Sequence, residues 1–156
     1  MNLIDLVRHV ADPLDVGVLV TSADLGQPGP TILYANDAFQ RMSGYGADDL
    51  VGHSPRMLQG AGTSREGTRQ VQRALRSQGR FLGRIQNYRR SGEAYLCELD
   101  IRPICGLDGH AEAFIAFERE VVRRRGRPTR GGAGRYTAVG QLECSNIPFL
   151  KIPAFE

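Results

Sequence analysis

The chain of 156 residues, with 41% hydrophobic and 24% charged side chains, has the size and composition of one folded domain plus a tail. No apolar run approaches the roughly 20 residues that cross a bilayer, and the start MNLIDLVRHVADP lacks a signal peptide's basic end and long apolar stretch, so a cytoplasmic protein with no membrane partner is expected. The net charge of +3 is unevenly placed, since residues 1–121 hold 13 basic and 15 acidic groups while residues 122–156 hold 7 and 2.

Residues 2–11 put Leu3, Leu6, Val7 and Val10 at helical spacing with Ile4 beside them, which predicts a short amphipathic helix up to Asp12-Pro13. A helix of that length is marginal alone in water, so it must dock on its own sheet or on a second subunit. Residues 16–22 (VGVLVTS) and 31–35 (TILYA) read as strands, joined by a loop with Gly-Gln-Pro-Gly-Pro punctuation. Asn36 is placed to cap a helix with Ala38, Phe39 and Met42 inward and Gly44 near its end, and Ala47-Asp48-Asp49-Leu50 reads as one further turn. Residues 52–62 read as a loop. Thr63 or Ser64 then caps a helix to about Gln78, with Val71, Ala74 and Leu75 inward and Gly79 stopping it.

Residues 80–89 read as a strand, and residues 87–121 contain the best-patterned stretch, a hairpin turning at Leu107-Asp108-Gly109. Tyr95, Cys97, Leu99 and Ile101 alternate with Glu98, Asp100 and Arg102, so one face of the first hairpin strand is apolar. The returning strand is mixed, with Phe114, Ile115 and Phe117 apolar and Glu112, Glu118 and Glu120 polar. Strands, short helices and then three strands describe an α+β domain with an antiparallel sheet and helices on one face.

Beyond it, residues 123–135 (RRRGRPTRGGAGR) hold six arginines, four glycines and no acid, and read as a linker that buries no core. An arginine run can hold phosphates, but a solvated linker is the preferred reading, and nucleic acid is not an expected partner. Residues 136–156 turn apolar again, and Pro148 and Pro153 exclude an ordinary helix there. The expected division is a leading helix over residues 1–13, a domain over 14–122, a linker over 123–135 and an apolar tail over 136–156.

Four ordered segments carry a family likeness: Ala35-Asn36-Asp37-Ala38-Phe39 with Ser43-Gly44-Tyr45, then GHSPRMLQG at residues 52–60, then Asn87-Tyr88-Arg89-Arg90-Ser91-Gly92, then Ile101-Arg102-Pro103-Ile104. Over residues 16–121 the chain resembles a PAS domain, and within that superfamily it is most similar to the LOV flavin-binding branch. The resemblance implies a five-stranded antiparallel sheet whose concave face and helices enclose a ligand cavity. It also implies a sensory or signalling module that passes a change through dimerisation or its termini to an effector protein. FMN is the first cofactor to test, the ligand itself being unidentified. The alternative is a ligand-free interaction and dimerisation module.

The same resemblance assigns cofactor-binding candidates: Asn36 in the first-helix signature, Arg56 and Gln59 toward a ribityl phosphate, and Asn87, Cys97 and Glu118 toward a flavin edge. Pro55 stands where photoactive LOV domains carry the cysteine that adds to flavin, which excludes an adduct at that position. Amides both donate and accept, whereas a thiol is a weak donor and an ionised carboxylate only accepts, so Cys97 and Glu118 depart from the family's amides. Gln72 falls at a second phosphate arginine; Arg73 is one position off, rotated about 100° around that helix, and Arg65 and Arg69 are the residues placed to reach back instead.

Each candidate has a plain reading too: Asn87 as a structural amide, Cys97 as a small core hydrophobe. Cys97, Cys105 and Cys144 form no CxxC pair, which argues against a disulfide framework and a structural zinc site. The helix over 64–78 has no histidine for haem, and His9, His53 and His110 share no ligand spacing, so no metal is expected. No nucleophile elbow, dinucleotide loop or P-loop lysine is present, and an enzyme is not expected.

Overall fold

The computed structural model describes residues 1–125 and 135–139. In chain order it contains α1 (Leu3–Ala11), β1 (Gly17–Ser22), β2 (Ile32–Ala35), α2 (Asp37–Ser43), α3 (Ala47–Leu50), a 3-10 turn (Pro55–Leu58), α4 (Arg65–Arg76), β3 (Phe81–Tyr88), β4 (Ala94–Cys105), β5 (Ala111–Arg123) and β6 (Tyr136–Ala138). Strands β2-β1-β5-β4-β3 form one antiparallel sheet in that order, the expected α+β arrangement.

The sheet separates two apolar layers because strand side chains alternate between its faces. On the inner face Leu19, Ile85, Tyr95, Cys97, Leu99, Ile101, Phe114 and Ala116 pack with Phe39 of α2, Leu50 of α3, Leu58 of the 3-10 turn and Leu75 of α4. Phe39, Leu50 and Leu58 are almost wholly buried, each contributing roughly 2–3 kcal/mol of transfer free energy. Gly17 permits the close fit of α2 on β1, since a Cβ there would lie 3.0 Å from the Glu118 carbonyl and 3.2 Å from Met42 Cε. On the outer face α1 covers Val18, Val20, Ala113, Ile115 and Phe117. Further along that face, Asp100 is sunk between Arg80 and Arg102, while Glu98 bridges Arg84 and Arg119.

The helix α1 forms as expected, with Asn2 and Asp5 capping each other reciprocally. Its buried face is rotated from the expected one: Leu3, Ile4, Val7 and Ala11 meet the sheet, whereas Leu6 and Val10 are 48% and 47% exposed. The loop after α3 contains the 3-10 turn, in which Pro55 occupies the first turn where no backbone donor is needed. Ser64, rather than Thr63, caps α4 by accepting from Gly67 N at 3.2 Å. Thr63 instead donates to the Gln86 carbonyl at 2.7 Å, fastening the loop to β3.

At the other end of α4 the left-handed residue is Gln78 (φ 55°) and not Gly79. Gln78 N and Gly79 N donate back to Leu75 O and Ala74 O, and the Gln78 side chain accepts from Ala111 N at 2.7 Å. That long-range bond compensates the conformational cost of left-handed glutamine. In the apolar tail, Tyr136–Ala138 pair antiparallel with Val121, Val122 and Arg123, and the Arg84 guanidinium stacks 4.0 Å over the Tyr136 ring. The remainder of the arginine-rich linker (126–134) and of the tail (140–156) lies outside the described residues. No helix among the described residues is long and apolar enough to cross a membrane.

Candidate functional site

Between the inner face of the sheet and the helices lies a cavity of about 180 Å³, counted as room for the centres of water molecules. That is room for several waters or a small ligand body, and lies below the roughly 300–1,000 Å³ usual for pockets that enclose a drug-sized ligand. Its walls are apolar: Leu19, Leu58, Val71, Leu75, Ile85, Leu99, Ile101, Phe114 and Ala116. Exposed Gln59, Gln72 and Arg76, together with half-buried Arg56, mark the mouth, while buried Asn87 and Glu118 mark the closed end. The result is a hydrophobic slot with cations at one end and a polar pair at the other.

The mouth is built by the 3-10 turn and α4. Pro55, Arg56 and Leu58 lie on the turn, and Arg56 is oriented by donating to the Gln27 side chain at 3.1 Å. On α4 the residues facing the cavity are Thr68, Val71, Gln72, Leu75 and Arg76, the three- and four-residue spacing of one helix face. Arg76 therefore supplies the second mouth cation. Arg69 and Arg73 point to Glu66 instead, at 4.0 and 3.8 Å, and neither these nor Arg65 lines the cavity.

At the closed end, Asn87 of β3 and Glu118 of β5 project inward. Cys97 of β4 sits behind them, fully buried, and donates its thiol to Glu118 Oε2 at 3.2 Å. Glu118 makes no ion pair with any described residue. Burial accordingly pushes its carboxyl up to about 7, against a smaller downward pull from the Cys97 hydrogen bond. Burial and the neighbouring Glu118 charge push the Cys97 thiol up as well, so it stays protonated as a donor. The buried Tyr95 hydroxyl, beside the Asn87 amide, finds no hydrogen bond of ordinary geometry. Arg89 closes this end, stacking 4.6 Å over the Tyr95 ring and bonding Glu120 at 2.7 Å and the Met42 carbonyl at 2.5 Å.

Four of the six candidate residues, Arg56, Gln59, Asn87 and Glu118, thus line one cavity, with Cys97 touching Glu118 from behind. Asn36 lies elsewhere. Its Oδ1 accepts from Val18 N at 2.8 Å and Phe39 N at 3.0 Å, and its Nδ2 donates to Ala11 O at 2.9 Å and Val16 O at 3.0 Å. All four hydrogen-bonding positions of the amide are spent on backbone, so Asn36 ties α1, β1 and α2 together and has none left for a ligand. Arg76 was not singled out by the sequence, although its position four residues after Gln72 was the available signal.

This fold and cavity define a small-molecule-sized pocket in a five-stranded α+β sensor-like sheet, and the family model described as "PAS domain" matches residues 15–123. The chain belongs to the PAS domain family. Among curated relatives it is 30% identical over 119 residues to the bacterioopsin transcriptional activator of Halobacterium salinarum, covering 76% of this chain and 17% of that protein. It is 33% identical over 110 residues to the blue-light-activated histidine kinase of Brucella anthropi, covering 70% of this chain and 22% of that one. The chain therefore corresponds to about a fifth of these relatives' length. Among solved structures, the LOV domain of the Erythrobacter litoralis EL346 blue-light activated histidine kinase superposes with a TM-score of 0.63 at 26% identity, covering 69% of this chain and 96% of that domain.

Proposed function

We propose that this chain is a PAS sensory module whose cavity holds a small ligand with an apolar body and an anionic end. The observation that carries this reading is the slot itself, open at 180 Å³, with Arg56 and Arg76 at its mouth and Asn87 and Glu118 at its closed end. Flavin mononucleotide is the first ligand to test, because the similar histidine kinases are named as blue-light activated. The residues present fit it: Arg56, Gln59 and Arg76 would hold the phosphate, the apolar walls the ring, and Asn87 and protonated Glu118 its polar edge. A neutral carboxyl both donates and accepts, as an amide does. When bound, a flavin would supply absorption of blue light. Pro55 lines the cavity where the resemblance places the reactive cysteine, and the lining contains no thiol among the described residues. Light would then act without a covalent bond to the chain.

The test is to add FMN to the purified protein and follow flavin fluorescence and absorption. Saturable quenching with a bound flavin spectrum is the expected result; an unchanged spectrum at saturating FMN refutes the flavin version. A reversible bleached state under blue light would contradict the absence of a covalent photoproduct.

A second reading, dimerisation through α1, is favoured by the outward Leu6 and Val10. Leu6→Glu should weaken a dimer in sedimentation without unfolding the domain. Val7 is not a suitable probe, since it packs against the chain's own sheet. If the wild-type chain is monomeric at high concentration, this reading falls.

A further inference from the structure

Glu118 is a buried carboxyl in the wall of an apolar cavity, with one weak donor and no cation to hold a charge. Oε2 accepts from the Cys97 thiol, and Oε1 makes no hydrogen bond with the described residues. We propose that Glu118 is a proton-carrying donor subsite, giving a hydrogen bond to an uncharged acceptor atom of the ligand, so that occupancy of the cavity and protonation of Glu118 rise together. This rests on the ligand-binding reading above and adds its regulation by pH, with specificity for a neutral acceptor such as a carbonyl or ring nitrogen at the closed end.

The surroundings leave the carboxyl without a competing charge. Ionisable neighbours on the same face are Cys97 and Tyr95 of β4 and Glu120 of its own strand, and Glu120 is held by Arg89 at 2.7 Å. Across the ladders Glu118 faces Gly17 of β1 and Leu99 of β4, Asn87 of β3 lines the same cavity, and α2 brings up Phe39 and Met42, none of which titrates. The remaining cations of the cavity, Arg56 and Arg76, stand at its mouth. A buried carboxylate without a cation is costly, and such a group takes a proton instead. A ligand atom that accepts from it adds a hydrogen bond that exists only in the protonated form. A ligand atom that donates would be accepted by either form and would not couple binding to the proton, while one that carries negative charge is disfavoured beside the carboxylate.

The experiment is carbon NMR of the glutamate side-chain carboxyls in the full chain, titrated from about pH 5 to about pH 9 with and without FMN as the probe. The Glu118 resonance is assigned by its loss in Glu118→Gln. Titration near neutrality in the free protein, a midpoint raised by FMN, and FMN affinity that falls about tenfold per pH unit between the free and the raised midpoint support the proposal, provided the slope disappears in Glu118→Gln. Titration in the ordinary carboxylate range overturns it whatever FMN does. So does FMN binding that leaves the midpoint unmoved. If FMN fails to bind while Glu118 still titrates near neutrality, the flavin version of the function falls, while the protonated state of Glu118 on which the proposal depends is supported.

Discussion

Replacing Glu118 by glutamine should stabilise the domain, and by an amount that depends on pH. The side chain is 3% exposed and its carboxyl is raised from 4.5 to about 7. Each unit of difference between the folded and unfolded values corresponds to about 1.4 kcal/mol. Because the folded value is the higher, the native state binds more protons between the two, and stability falls as pH rises through that window. Above about pH 7 the wild type carries the whole penalty, on the order of 3 kcal/mol; below the ordinary glutamate value it carries none. Glutamine has nearly the same shape and no charge, and can accept the Cys97 hydrogen bond. Urea unfolding of both proteins across this range, compared at common slope, should give midpoints that coincide in acid and diverge toward alkaline pH, the variant being the more stable. A difference that is constant with pH would refute the reasoning, because it would show that Glu118 is not ionising inside the fold.

Other outcomes follow from the same geometry. Cys97→Ala removes the donor that favours the Glu118 carboxylate, and should move the Glu118 titration midpoint upward in the NMR experiment; an unchanged midpoint would show that the thiol contact is idle. Asn36→Ala strands the backbone groups at Val18, Phe39, Ala11 and Val16, and should cost about 3 kcal/mol in urea unfolding, whereas Asn36→Asp should recover only the two accepted bonds. Asp100→Asn breaks the bidentate pair with Arg80 and the pair with Arg102. It should also cost about 3 kcal/mol near neutral pH. Burial opposes the Asp100 charge, but the two arginines overcome it and hold the carboxyl below its usual value, so this contribution is lost as pH falls through that lowered value. If FMN binds, Arg56→Ala should weaken it about tenfold in fluorescence titration while affecting riboflavin little, since only FMN carries the phosphate; equal loss for both would move the anionic end elsewhere.

The hairpin was legible because β4 alternates over its central part: Tyr95, Cys97, Leu99 and Ile101 enter the inner layer, and Glu98, Asp100 and Arg102 carry the outer arginine and acid ladder. On β5 the pattern blurs for a physical reason. Ile115 and Phe117 are covered by α1 while Phe114 and Ala116 face the cavity layer, so apolar residues are needed on both sides of one strand. The rotation of α1 was not readable, because Leu3, Ile4, Leu6, Val7 and Val10 spread apolar surface over more than one stripe, and only the sheet selects which part is covered.

The same limit hid Arg76. It shares a side of α4 with Gln72, four residues earlier, but only the cavity shows that this side faces a site. Asn36 shows the converse: its cap bond from Phe39 N was foreseen, whereas its other three partners come from α1, β1 and the residue just before β1, 18 to 25 residues away. Three residues of β6 carry no period that could be detected, and they are recognisable only by pairing with β5.

The cavity between α4 and the sheet is proposed as a ligand site. Native mass spectrometry of the purified chain, before and after addition of FMN, tests it most directly. The expected result is a small molecule that either co-purifies or is taken up at one per chain, and whose binding is lost when Leu75→Trp fills the slot in a protein that remains folded. A folded chain with no bound mass before or after FMN, and with inner-face NMR resonances unmoved by it, would contradict flavin occupancy; a bound molecule retained in Leu75→Trp would place the site outside this cavity.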